Sequence, residues 1–179
     1  SVIHAMGGEQ DIRKMGGLGK HMRITQITFL IGCLAIAGIP GFSGFFSKDE
    51  ILASAFAHNP ILFYIGLAGA MMTAFYMFRL YAMTFLGQFR GTHEKEHHLH
   101  ESPAAMTFPL IILAILAVIG GYVGLPEVFS EHHLLNEYLA PVVNNFGLHH
   151  LSHETEWMLM GLSVGLVVMM ITPLPALEP

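Results

Sequence analysis

The chain has 179 residues, of which 53% are apolar and only 12% charged, with a net charge of −5 and a mean hydropathy of +0.56. A soluble domain carries about 25% charged residues, so a soluble fold of this length would lack the polar surface to cover itself. The small acidic balance without a basic run excludes a nucleic-acid-binding chain, and the single cysteine, Cys33, excludes an intrachain disulfide.

Residues 1–23 read as a cytoplasmic loop carrying Arg13, Lys14, Lys20 and Arg23. Residue 1 is Ser and no signal-peptide pattern precedes the first apolar run, so the chain is expected to be a piece of something longer. Four uncharged stretches then follow: Ile24 to Ser47, Ile61 to Phe78, Ala104 to Leu125 and Trp157 to Leu177. A bilayer core needs about 20 apolar helical residues. None of the stretches alternates with period two, which argues against a β-barrel. The expected fold is all-α, a polytopic transmembrane bundle of about four spans.

The first stretch contains Ile39-Pro40-Gly41-Phe42-Ser43-Gly44. Proline removes a backbone donor and glycine favours non-helical backbone, so Pro40, Gly41 and Gly44 predict a helix interrupted between Gly38 and Ser47. Ser47 and Glu50 have the spacing of a capping box that would restart the helix. Ile24 to Ala57 is then either one broken span or two short spans joined by a turn. Loop charge favours the first. Residues 1–23 and the loop 87–103, with Arg90 and Lys95, are basic, whereas 126–156 holds no Lys or Arg. Cytoplasmic loops collect such residues. The predicted path is a broken span over 24–57, a span over 61–86, a His-rich cytoplasmic loop over 87–103, a span over 104–125, an external loop over 126–156 and a span over 157–172.

Irregular backbone at membrane depth is tolerated only inside protein or against a water-filled cavity, and broken helices recur in transporters. Lys48 and Asp49 follow the break. At membrane depth each costs about 2.5–3.5 kcal/mol on insertion scales, so such residues pair and function. Helix neighbours do not face one another, so the two need not form a pair, and separate partners are open to each. The same string would also serve as a solvated loop between two short helices. Arg79, within Tyr76-Met77-Phe78-Arg79-Leu80-Tyr81, fits a side chain that snorkels to the headgroups, with interior pairing as the alternative.

Histidines crowd two loops: His93, His97, His98 and His100, then His132, His133, His149, His150 and His153. No cysteine accompanies them and Glu94, Glu96 and Glu101 are interspersed, so a wet interfacial loop is the simpler reading and no metal site is expected. His132 to Val143 would suit a short surface helix. No phosphate-binding loop, iron–sulfur cysteine cluster or hydrolytic motif is present, so no cofactor is expected in this chain.

Several strings carry a resemblance: Ser1-Val2-Ile3-His4-Ala5-Met6, Glu9-Gln10-Asp11-Ile12-Arg13-Lys14-Met15-Gly16-Gly17-Leu18, Gly38-Ile39-Pro40, Gly44-Phe45-Phe46-Ser47-Lys48-Asp49-Glu50-Ile51-Leu52, Phe75-Tyr76-Met77-Phe78-Arg79 and Glu101-Ser102-Pro103. They resemble chain L (subunit 5 type), the antiporter-like membrane subunit of proton-pumping NADH:quinone oxidoreductase, respiratory complex I. The match is strongest over residues 1 to 57, and the Phe-Phe-Ser-Lys-Asp-Glu string is its most specific part. The resemblance implies a C-terminal-half fragment, with Lys48 and Asp49 carrying protons beside a broken helix and with Pro40, Gly41, Gly44, Ser47, Glu50, Arg79 and His4 in support. It implies that NADH, FMN, iron–sulfur clusters and quinone are bound by partner subunits. The partners would be other membrane-arm subunits, above all a neighbouring antiporter-like one, in a bacterial inner membrane. The alternatives are the large subunit of a multi-subunit sodium/proton antiporter and a structural membrane subunit without transport. The ending Thr172-Pro173-Leu174-Pro175 departs from the pattern, since two prolines end a helix.

Overall fold

The computed structural model describes residues 1–92, 96, 99–124 and 153–172. Those residues form helices and no strand: α1 (Val2–Ala5), α2 (Arg23–Ala37), α3 (Ser43–His58), α4 (Pro60–Phe85), α5 (Ala104–Ile119), which runs on as a 3-10 turn over Gly120–Gly124, and α6 (His153–Ile171). Two of them, Pro60–Phe85 and Ala104–Tyr122, are long and apolar enough to cross a membrane, while Arg23–Ala37 and Trp157–Ile171 are shorter apolar helices. At 1.5 Å per residue α2 is only about 22 Å long, short of a hydrocarbon core of about 30 Å.

Helix α4 is the axis of the bundle, and what it touches sets the direction of its neighbours. Beside its C-terminal half lies α2: Gln26 Nε2 donates to Tyr81 Oη at 3.1 Å, the rings of Phe29 and Phe85 lie 5.5 Å apart, and Ala37 packs with Ala74. Beside its N-terminal half lies α3: Phe56 meets Phe63 edge-on at 5.4 Å, and Leu52 packs with Phe63 and Leu67. Rising residue numbers in α2 and in α3 meet falling numbers in α4. Both helices therefore run antiparallel to α4, and in the same direction as each other.

Helix α5 runs parallel to α2. Glu101, just before it, accepts from Ile24 N–H at 2.8 Å and Thr25 Oγ1 at 2.7 Å, while Tyr122 at its far end reaches Gly41 O at 3.4 Å and stacks edge-on against Phe46 at 5.5 Å. Glu101 thereby satisfies an orphan N–H at the start of α2. Helix α6 runs the other way: Leu159 packs with Leu52 and Phe63, Met160 with Phe45 and Phe46, and Val167 with Ala37 and Ala74. The outward faces of α4 and α5 remain apolar and exposed, among them Ile61, Ile65 and Met72, then Phe108, Leu113 and Ile119.

The loop before α2 docks on the end of α4. Gly17 N–H donates to Leu86 O at 2.7 Å and the Arg90 guanidinium donates to Met15 O and Met83 O. At the surface of that loop, the hydrogen bond from the Arg13 side chain holds the Asp11 carboxyl below its usual range.

The restart of the helix differs from the sequence expectation. Ser47 and Glu50 do not cap it; the N-cap lies five residues earlier, at extended Phe42, with no side-chain cap and α3 beginning at Ser43, and both Ser47 and Glu50 lie exposed inside the helix. Gly44, read as a helix breaker, is helical. Its Cα sits so close to α2 that an added Cβ would meet Ala35 O at 1.8 Å. Gly38 and Gly41 take left-handed backbone, φ +81° and +93°, so the turn closes in five residues and leaves no need for a later restart. Of the external loop expected over 126–156, the last four residues, 153–156, are instead the first turn of α6, which starts earlier than the apolar run at Trp157. Residues 126–152, with the surface helix expected over 132–143, lie outside the described residues, as do His93, His97 and His98 and the proline-rich end 173–179.

Candidate functional site

Helix α2 stops for a local reason. Gly38 is left-handed, its N–H donates to Ala35 O at 3.1 Å, and Ile39 N–H reaches back to Leu34 O at 3.1 Å. This pairing satisfies two of the orphan carbonyls at a helix C-terminus. A third is taken by a side chain: Lys48 Nζ donates to Ile36 O at 2.5 Å. The donor lies one turn into α3, whose first turn overlaps the last turn of α2 because Gly44 has no side chain. An ammonium at the carbonyl end of a helix also meets the negative pole of its macrodipole.

Asp49 points elsewhere. It is 8% exposed, and its Oδ1 accepts from Ser163 Oγ of α6 at 2.9 Å. Its Oδ2 has no partner; among the described residues only Thr84 Oγ1 shares that state. Consecutive helix positions thus send the cation to α2 and the carboxylate to α6, as the helical geometry requires. Both lie between the Ala37–Ala74 contact and the Leu52–Leu67 contact. That places them level with the middle of α4, a helix of 26 residues. Between them and the α2 start stand Cys33, Ala37 and Ala74, all buried. On the opposite flank, Gly121 leaves room for Ser43 and Phe46, to which an added Cβ would approach at 2.6 Å. The break is therefore enclosed by protein on the α5 side.

The remaining predicted residues are dispersed. Pro40 is exposed within the break, beside Gly41, whose carbonyl is the one Tyr122 approaches. Arg79 is exposed on α4, next to exposed Phe75 and Tyr76, away from the Lys48–Asp49 pair. His4 is exposed in α1, which lies beside the start of α2 at one end of the bundle. Sequence reasoning missed Ser163. Its signal was slight, one hydroxyl in the apolar run 157–171. It also gave Glu101 no role, although its carboxylate anchors the start of α2.

Residues 1–75 match the family described as NADH:quinone oxidoreductase/Mrp antiporter, TM. The chain is 46% identical to NAD(P)H-quinone oxidoreductase chain 5 of Picosynechococcus sp., over 96% of this chain and 30% of that relative. It is 46% identical to NADH-quinone oxidoreductase subunit L of Rhodobacter capsulatus, over 73% of this chain and 20% of the relative. To the subunit L of Mycobacterium tuberculosis it is 41% identical, over 93% of this chain and 26% of the relative. The chain thus spans at most about a third of the length of these relatives. It belongs to the antiporter-like membrane family of NADH:quinone oxidoreductase and Mrp antiporter subunits.

Proposed function

We propose that this chain is the part of a proton-translocating NADH:quinone oxidoreductase subunit in which Lys48 and Asp49 pass protons beside a broken membrane span. In this reading α2 and α3 are the two arms of one span, followed by α4, α5 and α6 as alternating passes, with residues 1–23 on the cytoplasmic side. The codirectional run of α2 and α3 along one antiparallel α4 supports a single path. Two full spans joined by a turn would run in opposite directions. The basic residues before α2, and Arg90 beyond α4, support the orientation.

The observation that carries the function is the pair itself. A lysine capping a helix end and a buried carboxylate with one free oxygen stand level with the middle of the bundle. An ionisable group there costs free energy unless it is paired, and such groups mark ion pathways. The chemistry needed is only gain and loss of protons; the redox steps, with NADH, FMN, iron–sulfur clusters and quinone, belong to partner subunits. Those partners are other membrane-arm subunits, the neighbouring antiporter-like subunit first among them. The membrane is an energy-transducing one, and in a bacterium the inner membrane. Pro40, Gly41 and Gly44 shape the break, while Ser47, Glu50, Arg79 and His4 are peripheral to the proton step.

Lys48→Ala in the full-length subunit, within the assembled complex, tests this reading. Proton pumping per NADH oxidised should fall at least severalfold with assembly unchanged, measured in sealed vesicles with a pH-sensitive dye. Unchanged pumping would leave a structural subunit without transport. The family description also covers Mrp antiporters, which favours a sodium/proton antiporter subunit as the second reading. Sodium-driven proton movement without NADH in the same vesicles would select it.

A further inference from the structure

We propose that Ser163 is the positioning residue of Asp49, holding Oδ1 so that Oδ2 is the oxygen that takes up and releases the proton; this rests on the translocation reading above. Ser163 is itself buried, at 7% exposure. Its hydroxyl lies 2.9 Å from Asp49 Oδ1 and 3.1 Å from Met160 O. A hydroxyl has one proton to donate, so the two acceptors compete for it.

When Asp49 is a carboxylate, the anionic oxygen is the stronger acceptor, because hydrogen bonds to ionised groups are roughly twice as strong as neutral ones. The Ser163 proton then points to Oδ1 and fixes the plane of the carboxylate. When water delivers a proton to Oδ2, an O–H bond forms there, the negative charge is lost, and Oδ1 becomes an ordinary carbonyl oxygen. The Met160 carbonyl then competes on equal terms and the hydroxyl is free to turn to it. Release of the proton from Oδ2 to water reverses the sequence, and no covalent bond of Ser163 breaks.

The surroundings leave this task to Ser163. The elements packed on α3 are α2, α4, α5 with its 3-10 extension, and α6. The charged neighbours on α3 are Lys48, whose ammonium is engaged with Ile36 O, and Glu50, which is exposed. The charged residues of α2 and α4, Arg23 and Arg79, are exposed, and neither α5 nor residues 157–171 of α6 carry any. An apolar helix thus contributes one buried hydroxyl, placed on the carboxylate.

The test compares Ser163→Ala, Ser163→Thr and Asp49→Asn in the full-length subunit within the assembled complex, read by proton pumping per NADH and by infrared difference spectra of the antisymmetric carboxylate stretch. Asp49→Asn should abolish pumping and remove the band that identifies Asp49. Ser163→Ala should lower pumping severalfold and shift the antisymmetric carboxylate band of ionised Asp49, the state in which the Ser163 hydroxyl donates to Oδ1, and Ser163→Thr should keep both as in the wild type. Ser163→Cys, which keeps the volume and weakens the donor, should behave as Ser163→Ala and serves if the alanine variant does not assemble. Loss of pumping in Asp49→Asn with wild-type pumping and an unshifted band in Ser163→Ala and Ser163→Cys would overturn the role of Ser163 alone. Full pumping in Asp49→Asn would overturn the translocation reading itself.

Discussion

The junctions on either side of α3 each hold a proline, Pro40 and Pro60, and the two do opposite things. At Asn59–Pro60 the direction reverses. Asn59 is extended, its side chain accepts from Ile61 N–H at 2.9 Å, and Pro60 takes the first helical position, where its missing N–H costs nothing. His58, Asn59 and Pro60 are all exposed, so water completes the remaining backbone bonds. At Gly38–Phe42 the direction is kept. The chain steps sideways through two left-handed glycines, and α3 starts alongside the last turn of α2 rather than beyond it. Here the orphan carbonyls are satisfied from within, by Ile39, Gly38 and the Lys48 ammonium. A reversal at the bundle end needs only a cap. An interruption at mid-bundle needs a close approach and a charged partner, and so becomes a place where an ionisable group can sit.

The contrast makes the inner junction the fragile one. Gly44→Ala should be the most damaging single change, since its methyl group would overlap the Ala35 carbonyl. Overpacking that backbone contact should cost about 3 kcal/mol or more, read as loss of the subunit from detergent-extracted complex. Gly69→Ala, on α4 with nothing within 4 Å of the added carbon, is the control. It should be neutral or stabilise by up to about 1 kcal/mol. If both variants assemble equally well, the overlap of α2 and α3 is not as close as described.

Gly38→Ala comes next. Left-handed backbone costs an alanine about 1–2 kcal/mol, and the new methyl would stand 3.3 Å from Lys48 Cδ. A lowered thermal midpoint is expected, together with reduced pumping if the Lys48 contact is disturbed. The smallest effect belongs to the outer junction. Asn59→Ala removes one exposed cap worth about 1 kcal/mol and should leave pumping unchanged, measured alongside Gly38→Ala in the same vesicles. A larger loss at Asn59 than at Gly38 would reverse the ranking of the two junctions.

Much of this was legible without coordinates. Low charge and long uncharged runs pointed to a membrane, because so little polar surface cannot cover a soluble fold. Ile39-Pro40-Gly41 announced an interruption, because a missing donor and a left-handed glycine act locally whatever surrounds them. The placing of Lys48 and Asp49 on different faces followed from helix geometry alone.

Tertiary structure decided the rest. The helix restart at Ser43 in place of Ser47 depends on how closely α3 can lie on α2, a matter of one absent side chain at Gly44 and one carbonyl at Ala35. The common direction of α2 and α3 is set by what packs along α4. Local sequence favours a turn at both prolines and says nothing of which one reverses the chain. The partner of Asp49 is 114 residues away in sequence, in a helix whose own pattern gives Ser163 no distinction. Local propensities end helices; only packing chooses which ends meet, and here that choice brings a lysine to a helix terminus and a serine to a buried carboxylate.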